Sequence, residues 1–367
     1  MKSLISKDTK VLLQLSGGKD SIACMIYLKE HSMEFEAIHF VHKYGYSLPT
    51  AMAKKACEEF HVKLNIIDVT NEIGSLFLNG YDGRPCRYCK GIMDKVTVNY
   101  AQANGFQLIC VGDTKDDQTL INRLVKYEGM VNNISRYFNQ SVPIPDDIAI
   151  FRPLLEYNSD ETLDLVLHRL PWFKRVHDTG DKYFEYSREG CPLQFKDYGV
   201  VYTKELMEKL QYLNMLCGQF ATQKGIRASI HLPSEFIVTI AKGYEDECWH
   251  YLQSHGANLK PIHLKKILLY SFFIDLNLNS AMCSANIIKI ACERLIERLS
   301  ITGDFVFSDR MGYLATDEVK VDIFWDTNDR LLVSITSLEM KYNKSQIENL
   351  CMEIFHTREF VVLNYQK

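Results

Sequence analysis

Val11-Leu12-Leu13-Gln14-Leu15 runs directly into Ser16-Gly17-Gly18-Lys19-Asp20-Ser21, and this segment sets the architecture of the first half of the chain. Its first five residues are a short apolar run that ends near a glycine pair. Apolar residues then recur at helical spacing over residues 20–30. The pattern predicts a strand, a tight loop and a helix in immediate succession.

The loop of this segment has the features of a phosphate-binding site. Two glycines let backbone amides approach a phosphate closely, and the following helix adds the positive end of its dipole. The other loop residues supply hydroxyl donors, a cation, and a carboxylate suited to magnesium. A turn that merely caps the helix is the alternative. The predicted ATP-binding residues are Ser16, Gly17, Gly18, Lys19, Asp20 and Ser21, and Lys19 and Asp20 are also predicted to be catalytic.

The next hundred residues alternate between strand and helix patterns. We predict strands at 35–41, 62–69 and 108–112 and helices at 51–60 and 92–103. Such alternation indicates an α/β fold with a parallel sheet and helices on both faces. Sheets of this kind bind ligands beyond the carboxyl ends of their strands.

The pattern changes after about residue 200. We predict an amphipathic helix at 205–223, a mostly helical region at 257–300, a hairpin at 319–337, a helix at 345–355 and a strand at 360–364. The predicted domains are an ATP-binding domain, residues 1–202, and a smaller mixed α+β domain of unknown role, residues 203–367.

Two cysteines stand three residues apart in Pro85-Cys86-Arg87-Tyr88-Cys89-Lys90, just before the predicted helix. Such a pair can converge on one metal, and the dipole of the helix favours thiolates. Zinc, redox and iron–sulfur chemistry all fit the pair, and so does coincidence among 11 cysteines.

A polar segment, Gly112-Asp113-Thr114-Lys115-Asp116-Asp117-Gln118, follows the fourth predicted strand. It lies on the ligand-binding edge of the sheet. We assign Gly112 to ATP binding and Asp116 and Asp117 to catalysis, where they would position magnesium or polar substrate groups. Capping of a helix by a carboxylate is the alternative.

Arg152-Pro153-Leu154 and Gly190-Cys191-Pro192 follow in that order. Residues 8–200 resemble the PP-loop ATP pyrophosphatase (adenine nucleotide alpha-hydrolase) family. The order of motifs resembles the iron–sulfur-dependent tRNA 2-thiocytidine and 2-thiouridine synthetases of that family. Asp113 departs from the resemblance, since these enzymes commonly have histidine there, and the zinc-finger cysteine pairs of some members are absent from this sequence.

The resemblance implies chemistry, cofactors and ligands. ATP with Mg²⁺ would adenylate a nucleobase carbonyl, releasing pyrophosphate and then AMP as sulfur replaces oxygen. By resemblance, Cys86, Cys89 and Cys191 would hold a [4Fe-4S] cluster, and Zn²⁺ is the alternative metal. The sulfur would come from inorganic sulfide or a carrier. Other cysteines, including Cys24 and Cys110, are interpreted as packing residues.

Charge bears on the substrate. The formal net charge is −4, and residues 1–200 carry 24 basic and 26 acidic residues, so neither half has the basic excess typical of proteins that grip long nucleic acids. We therefore expect a free nucleobase or nucleotide as substrate, with thioguanine-type chemistry as an example. The alternatives are tRNA thiolation, a zinc-containing amidating ligase resembling 7-cyano-7-deazaguanine synthase, and a non-enzymatic nucleotide-sensing subunit.

The sequence also bears on location and assembly. The N-terminus lacks a signal-peptide core and no run approaches the ~20 apolar residues of a membrane span. These observations predict a cytoplasmic protein without a membrane partner. A homodimer is the one assembly that we predict.

Overall fold

The computed structural model describes most of the chain, and its contacts divide the chain into two compact units. The first unit comprises residues 1–81 and 85–263, and the second comprises residues 82–84 and 264–367. The described residues are 9–45, 47–80, 85–115, 133–138, 142–173, 193, 200–226, 228–230, 236, 238–241, 243–261, 268–275, 284–308, 311–315, 319–325, 330–337, 344–355 and 360–365.

A six-stranded sheet, counted over the described residues, forms the centre of the first unit. The strand order is β3-β2-β1-β4-β6-β5, and every neighbouring pair is parallel except β5 with β6. The strands are β1 (Val11–Gln14), β2 (Phe35–Val41), β3 (Leu64–Asp68), β4 (Leu108–Cys110), β5 (Ile134–Ser135) and β6 (Ala149–Phe151). The predicted α/β fold with a parallel sheet is confirmed.

Helices cover both faces of this sheet. They are α1 (Lys19–Glu30), α2 (Ser47–Glu59), α3 (Thr70–Leu78), α4 (Pro85–Ala103) and α5 (Ser159–Arg169). Successive residues of β1 point to opposite faces. Val11 and Leu13 are fully buried with residues of α1, α2 and α5, whereas Leu12 is fully buried with Val98 and Ala101 of α4.

Helix α4 begins seven residues earlier than the sequence pattern indicates. The prediction started this helix at residue 92, but the structure starts it at Pro85. Proline is favoured in the first helical position because its fixed φ suits the helix and its missing N–H would have no intrahelical partner there. Cys86 and Cys89 therefore lie within the first turns of α4 and not in a turn before it.

The first unit continues beyond residue 202. It adds α6 (Lys204–Lys224), β7 (Ala228–Ile230), β8 (Val238–Ile240) and α7 (Glu245–Ser254). Thr203 caps α6 through a bond from the Leu206 amide, and Gly225 ends the helix in the left-handed conformation. The helix predicted at 205–223 is present.

One apolar cluster joins the two sides of residue 202. Tyr44, Val69, Ile73 and Phe77 are buried in the same cluster as residues of α6, β7, β8 and α7. The α6 residues in it are Met207, Leu210, Leu213, Leu216, Cys217, Phe220 and Ala221. The domain boundary predicted at residue 202 thus lies inside a contact-defined unit, and as a domain boundary it stays a prediction.

The second unit is built on an antiparallel sheet of order β10-β11-β12-β13-β9-β14. Its strands are β9 (Leu268–Asp275), β10 (Val306–Ser308), β11 (Met311–Ala315), β12 (Val319–Trp325), β13 (Arg330–Ser337) and β14 (Phe360–Tyr365). Helices α8 (Ala285–Arg298) and α9 (Lys344–Phe355) share its core. The predicted hairpin, helix and last strand are present.

The mostly helical interpretation of residues 257–300 is wrong in part. Residues 285–298 form α8, but residues 268–275 form β9, which pairs with β13 on one side and β14 on the other. A short continuous apolar run cannot be distinguished from a buried helix by its period. The aromatic Tyr-Ser-Phe-Phe content of this run favours a strand.

A search for membrane spans covered the described helices alone. None of them combines the length and the apolar character needed to cross a bilayer.

Candidate adenylation site

The segment from Ser16 to Ser21, called the ATP loop below, joins β1 to the first turn of α1. Hydrogen bonds of its two serines fix its shape. The Ser21 hydroxyl donates to the Gly18 carbonyl at 2.9 Å and accepts the Ser16 amide at 3.2 Å. The two serine hydroxyl oxygens are 3.0 Å apart, and the Gly18 amide bonds to Ser16 Oγ at 3.3 Å. Ser16 and Gly18 are exposed. The loop is therefore preshaped, with its outer face open to a ligand.

Gly17 occupies a position that only glycine fits. Its φ is +82°, and an added Cβ would lie 2.0 Å from the carbonyl oxygen of Pro49 in α2. Both the backbone conformation and the contact with α2 therefore require the absence of a side chain.

Gly112 lies directly after β4 and packs against the start of α1. An added Cβ would lie 2.9 Å from Asp20 C and 2.9 Å from Ser21 N. The structure therefore brings the loop after β4 into backbone contact with the ATP loop. The predicted ATP contact of Gly112 stays a prediction, and close packing is the role that the geometry gives it.

Lys19 and Asp20 meet a third residue, Thr162, at the start of α5. Lys19 Nζ lies 2.7 Å from Asp20 Oδ1 and 3.1 Å from Thr162 Oγ1. Thr162 Oγ1 lies 2.6 Å from Asp20 Oδ1, and Thr162 is fully buried. The sequence interpretation did not include Thr162, because no local motif marks a residue that is 142 positions from Asp20.

The start of α5 also holds the loop after β4. Lys115 Nζ bonds to Glu161 Oε2 at 3.2 Å, and the Lys115 amide donates to the Tyr157 carbonyl at 3.0 Å. Asn158 caps the helix, with a reciprocal bond from its own amide to the Glu161 carboxylate, and these bonds lower the pKa of Glu161. The predicted catalytic residues Asp116 and Asp117 lie outside the described residues.

Arg152 is a structural residue in this arrangement. Its side chain is fully buried, and its Nε donates to Asp113 Oδ2 at 2.8 Å. Its other nitrogens donate to the Ser135 hydroxyl and to the carbonyls of Tyr137 and Phe138. The guanidinium is thus used inside the fold, and Asp113, at the position where the resembling enzymes commonly have histidine, is its counter-ion.

Two histidines lie near the carboxyl end of β2, His39 within the strand and His42 directly after it. Buried His39 contacts the Leu15 carbonyl through Nδ1 at 2.7 Å and Thr50 Oγ1 through Nε2 at 2.9 Å. Burial lowers the pKa of His39, and it lowers the pKa of His42 to about 4 against the opposing charge of Asp68. Within the described part of the chain, buried His42 Nδ1 has no hydrogen-bond partner.

Helix α6 fastens the loop that follows β2. The buried Asn214 amide donates to the carbonyls of Lys43 and Gly45, and Gln211 donates to the Tyr44 hydroxyl at 2.8 Å. The loop leads into α2, whose Pro49 contacts Gly17. Residues beyond 202 therefore support the ATP loop indirectly, a role that the sequence patterns did not indicate.

The cysteine pair lies at the amino end of α4. Cys86 is exposed and Cys89 is partly buried, and burial together with the nearby Cys86 and Asp94 raises the pKa of Cys89 to about 12. Burial thus acts on Cys89 in the opposite direction to the helix dipole, which favours the thiolate, and metal binding there displaces a proton. Cys191 lies outside the described residues.

The position of the two cysteines on α4 suits a metal centre. Residues at i and i+3 of a helix lie on one side, so both thiols can reach one metal. The described residues contain no group of three or more candidate ligands. Two thiols therefore fit a cluster or zinc, and the third predicted ligand lies beyond the described part.

The edge of the sheet connects this pair to the ATP loop. A crossover helix in a parallel sheet starts at the carboxyl edge of the strands, where the ATP loop also lies. Gln14, two residues before Ser16, donates from Nε2 to Asp94 Oδ1 of α4 at 3.2 Å. The charge of Asp94 contributes to the raised pKa of Cys89. The phosphate-type loop and the thiol pair thus share one edge of one unit.

Seven other described cysteines are buried, in agreement with their interpretation as packing residues. Burial raises the pKa of Cys57 to about 11 and that of Cys248 to about 12, and raises the pKa of Cys24, Cys217, Cys292 and Cys351. The seven are Cys24, Cys57, Cys110, Cys217, Cys248, Cys292 and Cys351.

The fold and the loop together define a nucleotide-binding α/β protein of the kind that uses a Ser-Gly-Gly loop in place of a GxxxxGK[ST] loop. The PP-loop domain family matches residues 1–189, just over half of the chain. The chain belongs to this ATP-using family.

Known relatives include both an uncharacterized protein and sulfurtransferases. MJ1016 of Methanocaldococcus jannaschii, named as uncharacterized, is 28% identical over 252 residues, 64% of this chain and 83% of that protein. A tRNA-5-methyluridine(54) 2-sulfurtransferase of Pyrococcus horikoshii is 32% identical over 174 residues, 45% of this chain and 54% of the enzyme. The match spans about half the length of that enzyme.

Among solved structures, the U34-tRNA thiolase NcsA of Methanococcus maripaludis, determined with its [4Fe-4S] cluster, is similar to this chain. The TM-score is 0.35 at 19% identity, and the match covers 71% of this chain and 87% of that one.

Proposed function

We propose that the protein is an ATP-dependent sulfurtransferase that adenylates a nucleobase carbonyl and replaces its oxygen by sulfur. One observation carries the proposal: α4, which carries the Cys86–Cys89 pair in its first turns, is hydrogen-bonded to the end of β1 through Asp94 and Gln14, two residues before the ATP loop. This contact therefore joins a group that activates oxygen to a group suited to carrying sulfur.

The first step is transfer of AMP to the substrate. The carbonyl oxygen attacks the α-phosphorus of ATP, and pyrophosphate leaves. Lys19 and the first amides of α1 stabilise the charge that develops on the phosphates, an electrostatic contribution that water could not make as well. The Asp20 carboxylate offers the oxygen ligand that Mg²⁺ prefers.

The second step exchanges oxygen for sulfur. A sulfide adds to the activated carbon, and AMP departs with the original oxygen, which leaves a thiocarbonyl. By resemblance, Cys86, Cys89 and Cys191 would hold a [4Fe-4S] cluster, whose chemistry is to present sulfide at an iron without a protein ligand. Inorganic sulfide or a carrier protein supplies the sulfur, and a homodimer stays a prediction.

The relatives favour a base within tRNA as the substrate. The Pyrococcus horikoshii relative is named as a tRNA sulfurtransferase, which supports tRNA over the free nucleobase that the charge balance indicates. The formal charge of −4 keeps a free nucleobase or nucleotide as the second candidate. A third candidate is amidation with ammonia in a zinc-containing enzyme, since the two thiols of the Cys86–Cys89 pair suit zinc as well as a cluster.

A mass-spectrometric assay distinguishes these substrates. Reconstituted enzyme is incubated with ATP, magnesium, sulfide and either bulk tRNA or a nucleobase and nucleotide panel. Thiolated tRNA is the expected product, and its formation should fall on the order of 10³-fold between 50 and 200 mM salt if about six duplex phosphates are contacted. A thiolated small molecule alone would replace tRNA, and AMP formed only with ammonia would contradict sulfur transfer.

The cofactor is tested without reference to substrate. Anaerobically purified protein should contain iron and sulfide, with a visible cluster spectrum. Cys86→Ala, Cys89→Ala and Cys191→Ala should each lose iron, whereas Cys217→Ala, a buried packing residue, should retain it. Full iron content in any of the first three variants would contradict the ligand assignment, and stoichiometric zinc would replace the cluster.

The loop is tested by removing its charged side chains. Lys19→Ala and Asp20→Ala should abolish pyrophosphate release and keep the fold, because both side chains are only partly buried. Lys204→Ala, an exposed change at the start of α6, serves as the control. Pyrophosphate release at the wild-type rate in either loop variant would remove the adenylation assignment.

A further inference from the structure

Thr162 is placed where one hydroxyl contacts both charged residues of the ATP loop. Its Oγ1 lies 3.1 Å from Lys19 Nζ and 2.6 Å from Asp20 Oδ1, and the residue is fully buried in the first turn of α5. The Ser159 carbonyl lies 3.0 Å from the same oxygen and competes with Asp20 for the one hydroxyl hydrogen. Valine has nearly the shape of threonine without the hydroxyl, so exchanging the two residues tests the hydroxyl itself.

The directions of these bonds follow from proton accounting. The Lys19 ammonium can only donate, so Thr162 Oγ1 accepts from it. Thr162 has one hydroxyl hydrogen, and the shorter 2.6 Å contact assigns it to the Asp20 carboxylate. Thr162 therefore bonds to the anion and the cation of the loop at the same time.

A nucleotide changes the balance between these partners. Lys19 and Asp20 neutralise each other at 2.7 Å. When Lys19 turns to a phosphate, Asp20 loses its neighbouring cation, but the Thr162 hydroxyl still holds Oδ1. The second carboxylate oxygen, Oδ2, is then oriented to accept a hard divalent cation.

The surroundings of Thr162 give it a rigid base. Asn158 and Glu161 cap the same turn reciprocally, and Glu161 bonds to Lys115 of the loop after β4. The turn is thus attached to both loops at the carboxyl edge of the sheet. A hydroxyl on such a turn can fix the direction of a carboxylate on α1.

We propose that Thr162 is a positioning residue that orients the Asp20 carboxylate toward the magnesium ion of bound nucleotide when Lys19 moves to the phosphates. The inference rests on the proposed function only through its ATP-binding step. Thr162 acts through Asp20 and does not itself contact the reacting atoms.

The test is calorimetric binding of α,β-methylene-ATP, an analogue that cannot be cleaved at the reacting bond. Binding to the whole protein is measured with excess Mg²⁺ and again with EDTA. Thr162→Val should weaken binding on the order of 10-fold with Mg²⁺, as expected for losing one hydrogen bond to a charged group, and much less with EDTA. Thr162→Ser keeps the hydroxyl and should bind within about threefold of wild type.

Matched variants separate positioning from damage. Thr97→Val removes another fully buried threonine hydroxyl, on α4, which accepts from Gln14, donates to the Met93 carbonyl and has no hydrogen bond to Asp20 in the described part of the chain, so any effect on binding should be the same with Mg²⁺ and with EDTA. Thr162→Ala is a second hydroxyl-free variant that introduces no branched side chain, and it should reproduce the Thr162→Val result. Combined with Asp20→Asn, Thr162→Val should add little further loss, because it acts through the missing carboxylate.

The outcomes are distinct. Mg²⁺-dependent weakening in both hydroxyl-free variants, with recovery in Thr162→Ser, supports the inference. Equal weakening with Mg²⁺ and EDTA, or an equal effect of Thr97→Val, indicates a structural role and overturns it. Wild-type affinity in Thr162→Val also overturns it. If the wild-type protein fails to bind the analogue at all, the proposed function falls first and the inference falls with it.

Discussion

At the scale of single residues, Gly17 and Gly105 both have left-handed backbone, but only Gly17 is also closely packed against a neighbouring element. Gly17 has φ +82° and faces the Pro49 carbonyl, whereas Gly105 has φ +70° and an added Cβ there meets nothing within 4 Å. The two positions share a conformation but differ in their neighbours. Gly17 is thus required both by its backbone conformation and by its contact with α2, whereas Gly105 is required by its backbone conformation alone.

We expect Gly17→Ala to destabilise the protein more than Gly105→Ala. Left-handed backbone costs an alanine roughly 1–2 kcal/mol at either site, and at Gly17 the contact with Pro49 adds displacement of α2. Urea unfolding of the two variants and wild type measures the difference. Equal losses in the free energy of unfolding would mean that α2 moves away from residue 17 without cost, which would contradict the packing described.

His42 makes stability depend on pH. Its pKa falls from 6.5 to about 4 because burial disfavours the cation, so the folded state binds fewer protons than the unfolded chain. Its contribution is complete above pH 6.5 and is lost as the pH falls toward 4, by at most about 3 kcal/mol. Buried His39 acts in the same direction.

His42→Gln should therefore lose less stability than wild type between pH 6.5 and 4.5. Urea unfolding at several pH values measures the slope for each protein, and values at pH 8 give the cost of lost packing alone. Parallel curves over the acid range would contradict the assignment of this slope to His42.

At the scale of elements, two ion pairs near the sheet differ in how much of their side chains is buried. The Arg152–Asp113 pair joins the end of β6 to the loop after β4, and the arginine is fully buried. The Arg136–Asp146 pair has side chains that are 49% and 98% exposed. Burial, and not the presence of a pair, decides how much its loss costs.

Arg152→Leu should destabilise the protein by about 3–5 kcal/mol, because it removes the counter-ion of Asp113 and a donor to the Phe138 carbonyl. Arg136→Leu should cost less than about 1 kcal/mol. The double variant Arg152→Leu with Asp113→Asn should cost less than the sum of its parts. Denaturant unfolding measures wild type, the three single variants Arg152→Leu, Asp113→Asn and Arg136→Leu, and the double variant, and strict additivity would show that the Arg152 and Asp113 side chains do not couple.

Local elements could be predicted from the sequence, and contacts between distant elements could not. The strand, glycine loop and helix at residues 11–30 are encoded by adjacent residues. Thr162 at the ATP loop and Asn214 at the loop after β2 depend on packing across more than 140 positions. The strand β9 was missed because a short continuous apolar run has no period that distinguishes a strand from a helix.

At the scale of the whole molecule, the ATP-binding unit depends on residues outside the matched family domain. The family match ends at residue 189, but α6 contributes a buried face to a cluster that contains Val69, Ile73 and Phe77. Buried Asn214 adds hydrogen bonds to the loop after β2. The unit is therefore expected to need residues up to about 261.

A chain ended at residue 202 should fold less cooperatively than one ended at residue 263, which retains α6, β7, β8 and α7. The shorter chain exposes several large apolar side chains, each worth roughly 1.5–3 kcal/mol when buried. Urea unfolding followed by circular dichroism compares the two. Equal midpoints and slopes would support residue 202 as a true domain boundary.

The same shared core has a consequence for how the protein is made. Translation delivers Val69, Ile73 and Phe77 about 150 residues before the last residue of α6, Lys224, is made. At about 5–20 residues per second that delay lasts roughly 7–30 s. Throughout that interval the nascent chain carries an uncovered apolar surface, so its yield in a cell should depend on chaperones that shield emerging polypeptides.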